Sequence, residues 1–183
     1  MPYFAVIDTE TNWADQVMSI GTVIAEADTF RPVAAKYHIL PAYCEVGGMY
    51  YDALFLETPV KPICCTRQAA MRDLNSWFAQ YGVTDIFAYN ARFDKTHLPE
   101  LRGLQWFDIM RLAAYRQHNP KIPEDADLCS TGRLKRGYGV ESVLRLLSGS
   151  YDYRETHNAI LDALDELEIM HLLGHPLEHY IPL

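Results

Sequence analysis

The run Phe4-Ala5-Val6-Ile7, followed at once by Asp8-Thr9-Glu10-Thr11, constrains this chain more than any other stretch. Phe4 to Ile7 is apolar and rich in strand-favouring residues, which predicts a buried β-strand. A strand has a side-chain period of two, so Asp8 and Glu10 project from one face at its end. Two like charges side by side at the end of a buried strand repel each other, and a divalent cation between them removes the conflict. The same spacing also suits a strand that ends in polar residues and turns into solvent. Which of the two holds depends on whether further acids converge on that end.

Size and composition set the frame for those acids. A chain of 183 residues, 49% hydrophobic and 22% charged, predicts one ordinary globular domain spanning 1–183 with a substantial core. No apolar run approaches the length of a membrane span, and Asp8 follows too soon after the start for a secretory signal. Cys44, Cys64, Cys65 and Cys129 form no C-x-x-C pair and read as free thiols of a reducing cytoplasm, a zinc site being the lesser alternative. The net charge of −8 argues against a protein that coats long duplex, because basic surface supplies most non-specific nucleic-acid affinity. It leaves room for an enzyme whose acidic cleft is neutralised by metal ions. Arg111, Arg116, Lys121, Arg133, Lys135 and Arg136 form a local basic cluster, for which a solvated loop is the plain reading.

Taken in order, Val17 to Ala25 and Val33 to Leu40 predict two further strands in an antiparallel meander. Residues 41–65 carry Pro41, Gly47, Gly48, Pro59 and Pro62 and predict a long connection, with a short helix near Asp52 to Leu56. Its Tyr50, Tyr51 and Phe55 suit packing against the body more than stacking on bases. Thr66 caps an amphipathic helix whose stripe is Ala70, Met71, Leu74, Trp77, Phe78 and Tyr81, and Gly82 ends it. Asp85 to Tyr89 and Leu104 to Phe107 predict strands. Asn90 to Leu101 predicts a helix entrance and short helix, and Asp108 to about Gln117 another helix with Asp108 as cap. Residues 118–139 predict a surface loop, Val140 to Leu147 a short helix, and Asn158 to Leu173 a long last one stopped by Gly174 and Pro176. The order β-β-β-α-β-α-β-α-α-α predicts an α/β fold, a mixed five-stranded sheet flanked by helices with the first strand near its centre.

Three more residues could answer the demand at Asp8 and Glu10. In Tyr89-Asn90-Ala91-Arg92-Phe93-Asp94-Lys95-Thr96-His97-Leu98, Asp94 follows a strand near a helix start, where sites collect at the carboxyl ends of neighbouring strands. It equally suits a first-turn acid on a helix dipole. In His157-Asn158-Ala159-Ile160-Leu161-Asp162 the histidine and the acid are five apart and would not stack on one continuous helix. If the helix starts after His157, the imidazole hangs from the preceding loop while Asp162 leaves the second turn. On a helical wheel Asp162 lies opposite Ile160, Leu164 and Leu167, a position that suits a cleft or, given Asp165 and Glu166 beside it, plain solvent.

Together the stretches D-T-E-T, Y-N-A-R-F-D-K-T-H-L and H-N-A-I-L-D resemble the three motifs of the DEDDh 3′→5′ exonucleases, a family that includes the proofreading subunit of bacterial replicative polymerases, RNase T and oligoribonuclease. The family pattern is D-x-E, then N-x-x-F-D, then H-x-A-x-x-D along a ribonuclease-H-like fold. All three occur here in order, spanning residues 3 to about 172. Tyr89 stands where many members have histidine and Ser19 where an acid is frequent, positions outside the catalytic set. There is no tail long enough for a polymerase-binding domain, which disfavours a direct proofreading-subunit role.

What the resemblance implies is hydrolysis of a terminal phosphodiester with two divalent cations, Mg²⁺ or Mn²⁺, about 4 Å apart. Asp8 would bridge both ions, Glu10 and Asp162 would hold the one on the attacking-water side, and Asp94 would support the other. His157 would be the general base, since imidazole as a type titrates near neutrality. Thr11 would touch the terminal nucleotide, and Asn90 and Phe93 would support the site. The implied partner is a single-stranded nucleic-acid 3′ end, DNA or RNA, the product a nucleoside 5′-monophosphate, and a homodimer is allowed. The competing readings are an endonuclease on the same fold, which the His157–Asp162 pairing disfavours, and a catalytically silent nucleic-acid-binding module. His171, His175 and His179, with Glu178, invite a zinc site, but Gly174 and Pro176 interrupt the helix that would align them.

Overall fold

Alternation along the first strand sorts the whole core. In the computed structural model, which describes residues 2–183, the strands are β1 (Tyr3–Thr11), β2 (Val17–Glu26), β3 (Pro32–Ile39), β4 (Ile63–Cys64), β5 (Asp85–Ala88) and β6 (Gln105–Asp108). The helices are α1 (Pro41–Cys44), α2 (Arg67–Tyr81), α3 (Arg92–His97), α4 (Met110–Ala113), α5 (Val140–Ser148) and α6 (Ala159–Leu173). Phe4 and Val6 face one side of the sheet, where Val143 and Leu144 of α5 and Ile160 and Leu167 of α6 cover them. Ala5 and Ile7 face the other, against Leu74, Trp77 and Phe78 of α2. Asp8 and Glu10 continue the first set, so the pleat aims both carboxylates to the α6 side.

The sheet runs β4-β3-β2-β1-β5-β6. β1, β2 and β3 form the antiparallel meander, and β5 and β6 continue parallel to β1. The mixed sheet with β1 in its interior is as expected, but it has six strands where five were expected. The extra one, β4, pairs in parallel with β3 through His38–Ile63 and Ile39–Cys64. Two residues between Pro62 and Cys65 are too short to carry a readable period.

Two helices depart from expectation. The one near Asp52 is a 3₁₀ turn over Tyr51–Phe55. The one expected from Asp108 to Gln117 is only α4, because Asp108 closes β6 and the chain past Ala113 pairs elsewhere. The Leu134 amide donates to the Ala114 carbonyl and that of Arg116 to Gly132, while Asn119 Nδ2 donates to the Ala113 carbonyl at 2.7 Å. These partners come from up to twenty residues downstream, so local propensity does not announce them. The segment predicted from Asn90 to Leu101 resolves into α3 and a 3₁₀ turn, Pro99–Leu101.

One glycine decides where α6 sits. Gly21 lies directly across from Asp8 in the β1–β2 register, and a Cβ there would stand 2.0 Å from the Ala159 carbonyl oxygen and 2.3 Å from the Ile160 amide nitrogen. The first turn of α6 therefore rests on bare sheet backbone. Gly21→Ala sets backbone against backbone, with no rotamer to relieve it, and is expected to cost about 3 kcal/mol in chemical denaturation. An alanine variant as stable as the parent would show that α6 is not seated through this contact.

Candidate active site

Three separate segments deliver carboxylates to the carboxyl end of β1. β1 itself carries Asp8 and Glu10, α3 carries Asp94 in its first turn, and α6 carries Asp162. Glu10, Asp94 and Asp162 are buried, with exposures of 8%, 2% and 3%. Asp8 is partly exposed overall, yet its Oδ2 is enclosed and accepts no hydrogen bond. Thr9 donates its hydroxyl to Asp94 Oδ1 at 2.7 Å, tying α3 to β1.

The start of α6 is held with similar care. Asn158 caps the helix, its Oδ1 accepting from the Ile160 and Leu161 amides. Its Nδ2 donates to the Ala53 carbonyl at 2.6 Å and to the Tyr37 hydroxyl at 3.2 Å. The cap thus pins α6 to β3 and to the connection 41–65. Just before it, His157 adopts φ 55°, a left-handed conformation uncommon for a residue with a side chain. This turn points the imidazole back at the acids. One ligand atom from each of Glu10, His157 and Asp162 lies within 4.8 Å of the other two. Asp8 and Asp94 lie outside this group but near enough for their charges to act on it.

Crowded like charges away from water favour the protonated form. Burial first, then Asp94, Asp162 and Glu10, pushes the Asp8 carboxyl well above the usual range. Burial and Asp162 push Glu10 up to about 9. Burial raises Asp94 to about 7, and burial with Glu155 raises Asp162 to about 8. Among the described residues no lysine or arginine forms an ion pair with any of the four. Hard oxygen donors, one of them unpartnered, with no lysine or arginine paired to them among the described residues, make a donor set that fits a hard divalent cation.

Two cavities flank the acids. One, of about 320 Å³, is bounded by Glu10, Thr11, Trp13, Met49, Tyr50 and Phe93. Trp13 and Met49 are each 67% exposed, an apolar rim open to solvent. The other, of about 430 Å³, brings Asp8, Asn90, Arg133, Tyr138, Glu155 and Glu166 together. Of the three residues expected at substrate, Thr11 and Phe93 share the first cavity and Asn90 lies in the second. The Arg133 guanidinium sits 4.5 Å over the Tyr138 ring, and the Tyr89 hydroxyl donates to the Tyr138 carbonyl. Tyr89 thereby anchors the loop 118–139 beside the site.

Two residues here escape a reading of the sequence. Glu166, which suits solvent on a helical wheel, is 1% exposed and one turn beyond Asp162. The i, i+4 spacing from Asp162 is the one signal that points to it. Tyr50 stacks on His157 with ring centroids 3.8 Å apart and an interplanar angle of 16°. Packing against the body is what the sequence predicts for Tyr50, but nothing local names His157 as its partner; Tyr51 and Phe55 pack on each other. The histidine trio expected at the C-terminus does not assemble. His171 pairs with Glu168, while His175 meets His179 and, across the chain, His118. The break at Gly174 turns His171 away from the other two.

No family model and no curated protein matches this sequence. Solved structures do match its fold. The nuclease domain of 3′hExo, a DEDDh family member, bound to rAMP, aligns with a TM-score of 0.66 at 13% identity over 99% of this chain and 96% of that one. E. coli exonuclease I in complex with a dT13 oligonucleotide aligns at 0.59 and 14% identity, over 98% of this chain. The chain spans about 40% of the length of the exonuclease I chains it matches. A 3′-exonuclease in 3′-end specific recognition of a histone mRNA stem-loop aligns at 0.61 and 11% identity, covering 99% and 70%. The fold is the ribonuclease-H-like one of these exonuclease domains. Among the described residues no helix is long and apolar enough to cross a membrane.

Proposed function

We propose that the protein, over residues 1–183 as one domain, is a metal-dependent 3′→5′ exonuclease of DEDDh type. It would hydrolyse the terminal phosphodiester of single-stranded DNA or RNA to nucleoside 5′-monophosphates in the cytoplasm. The observation that supports this reading is the grouping of Glu10, His157 and Asp162 at the end of β1, with Asp8 and Asp94 close enough to raise one another's carboxyls.

Two divalent cations, when bound, would polarise the scissile phosphate and balance charge on the leaving 3′ oxygen. Asp8, Glu10 and Asp162 would hold one, and Asp8 with support from Asp94 the other. His157 would accept the proton of the attacking water on an imidazole nitrogen. The cavity of Thr11, Trp13, Met49, Tyr50 and Phe93 would take the terminal nucleoside, its aromatic faces tolerating any base. Arg133, beyond Asp8, would meet a phosphate of the remaining strand.

The test is release of mononucleotides from linear and circular single strands of DNA and RNA, with Mg²⁺ or Mn²⁺ and in EDTA. Linear strands are expected to shorten from the 3′ end only with metal, and circles to stay intact. Cleavage of circles would replace this reading with an endonuclease, and turnover in EDTA would remove the metals from it.

His157→Ala is expected to lower kcat by about 10²–10⁴-fold while Mn²⁺ still binds. Lost Mn²⁺ binding would make His157 a ligand alongside Glu10 and Asp162. Tyr50 is read as a positioning residue for that imidazole. Tyr50→Ala is expected to lower kcat about tenfold and, because the same ring lines the nucleoside cavity, to raise KM as well; Tyr50→Phe should restore both, because the ring and not the hydroxyl makes the stack. Equal loss in both variants would point to the hydroxyl instead.

A further inference from the structure

Glu166 takes no part in the chemistry described so far. It leaves α6 one turn after Asp162, so both side chains project from the same face toward β1. It is 1% exposed, and among the described residues no cation pairs with it. Its Oε2 is enclosed and has no hydrogen-bond partner. Asp8 Oδ2 is in the same condition, and both residues line the cavity of about 430 Å³. Two enclosed carboxylate oxygens without donors, on one cavity wall, are costly unless something positive belongs between them.

We propose that Glu166 is a fifth carboxylate of the metal site, with its Oε2 and Asp8 Oδ2 serving together as oxygen ligands for the second divalent cation. The proposal rests on the exonuclease reading and changes one part of it. Asp94 accepts the Thr9 hydroxyl and faces β1 from α3, so it supports the site from one side while Glu166 closes it from the other. The second ion is then held by two protein carboxylates before substrate arrives, and Glu155, on the rim of the same cavity, adds to the field that attracts it.

The measurement is Mn²⁺ binding to the full chain, followed by the EPR signal of free ion, alongside melting of the metal-free protein. Wild type is expected to bind two ions. Glu166→Gln should keep the tighter one and weaken the other about tenfold or more. Its metal-free melting temperature should rise by a few degrees, since the amide offers Asp8 Oδ2 a donor and removes a like charge. Glu166→Asp, which keeps the charge on a shorter arm, should fall between the two in Mn²⁺ affinity. Its isotherm tests the same ligand role if the glutamine variant folds poorly. A wild type that cuts but binds a single Mn²⁺, or variants with unchanged isotherms, would overturn this role for Glu166 and leave the exonuclease standing. A wild type that binds no Mn²⁺ would overturn both.

Discussion

Replacing Asp162 with asparagine is expected to have two opposite effects. Metal-dependent release of mononucleotides should fall by more than about 10³-fold, the order seen when one member of a catalytic unit is removed. The metal-free protein should at the same time become more stable, by about 0.5–2 kcal/mol, or roughly 1–8 °C in melting temperature. Both follow from one position. Asp162 is buried, its carboxyl is pushed up to about 8 by burial and Glu155, and its hydroxyl donor, Thr156, is at a long 3.4 Å. An amide of the same shape removes a charge that the metal-free fold accommodates poorly. It also removes a carboxylate oxygen from the set of Asp8, Glu10 and Asp162 that would hold the first ion. Paired activity and melting curves check this. An asparagine variant that loses activity and stability together would mean Asp162 holds the fold, not a cation.

Much of this site is legible in the sequence because its parts obey local rules. The period of a strand puts Asp8 and Glu10 on one face whatever the partner. The start of α6 after His157 is set by Asn158, a good cap by its chemistry. That separates His157 and Asp162 into loop and helix, which lets residues five apart meet. What stays hidden is decided by long-range packing. Glu166 sits among acids on a wheel and looks solvated; it is buried because Gly21 lets α6 lie against β2. Gly21 carries its own signal, a glycine inside an apolar strand, but nothing names the helix that rests on it. Tyr50 reaches His157 only because Asn158 bonds to Ala53, a contact 105 residues apart in sequence. The short edge strand β4 and the early end of α4 are hidden for the same reason.

The pH dependence of stability should invert on adding metal. A carboxyl whose folded pKa lies above its unfolded value binds more protons folded than unfolded in the interval between them, so stability falls as pH rises through the folded value. Asp94 at about 7, Asp162 at about 8 and Glu10 at about 9 all carry that sign, and burial is the leading cause for each. Glu26 and Glu100, lowered by hydrogen bonds from Arg31 and Arg67, act only below the ordinary carboxylate range. Buried His38, lowered by burial, gives the opposite slope below about pH 6.5. The window in which the acids alone speak is therefore pH 7 to 9. A pKa unit is worth about 1.4 kcal/mol. Between pH 7 and 9 Glu10 opposes ionisation over about two pH units and Asp162 over about one, roughly 4 kcal/mol together, or about 8–16 °C for a chain of this length. In EDTA the melting temperature should drop by that order between pH 7 and 9. Saturating Mg²⁺ or Mn²⁺ binds the ionised form and should flatten or reverse the slope, since a ligand at a hundred times its Kd contributes about 2.7 kcal/mol. A flat profile in EDTA would mean that the acids already have cationic partners. A fall that metal leaves untouched would mean that no cation enters between them, and the demand that Asp8 and Glu10 make would be met by protons alone.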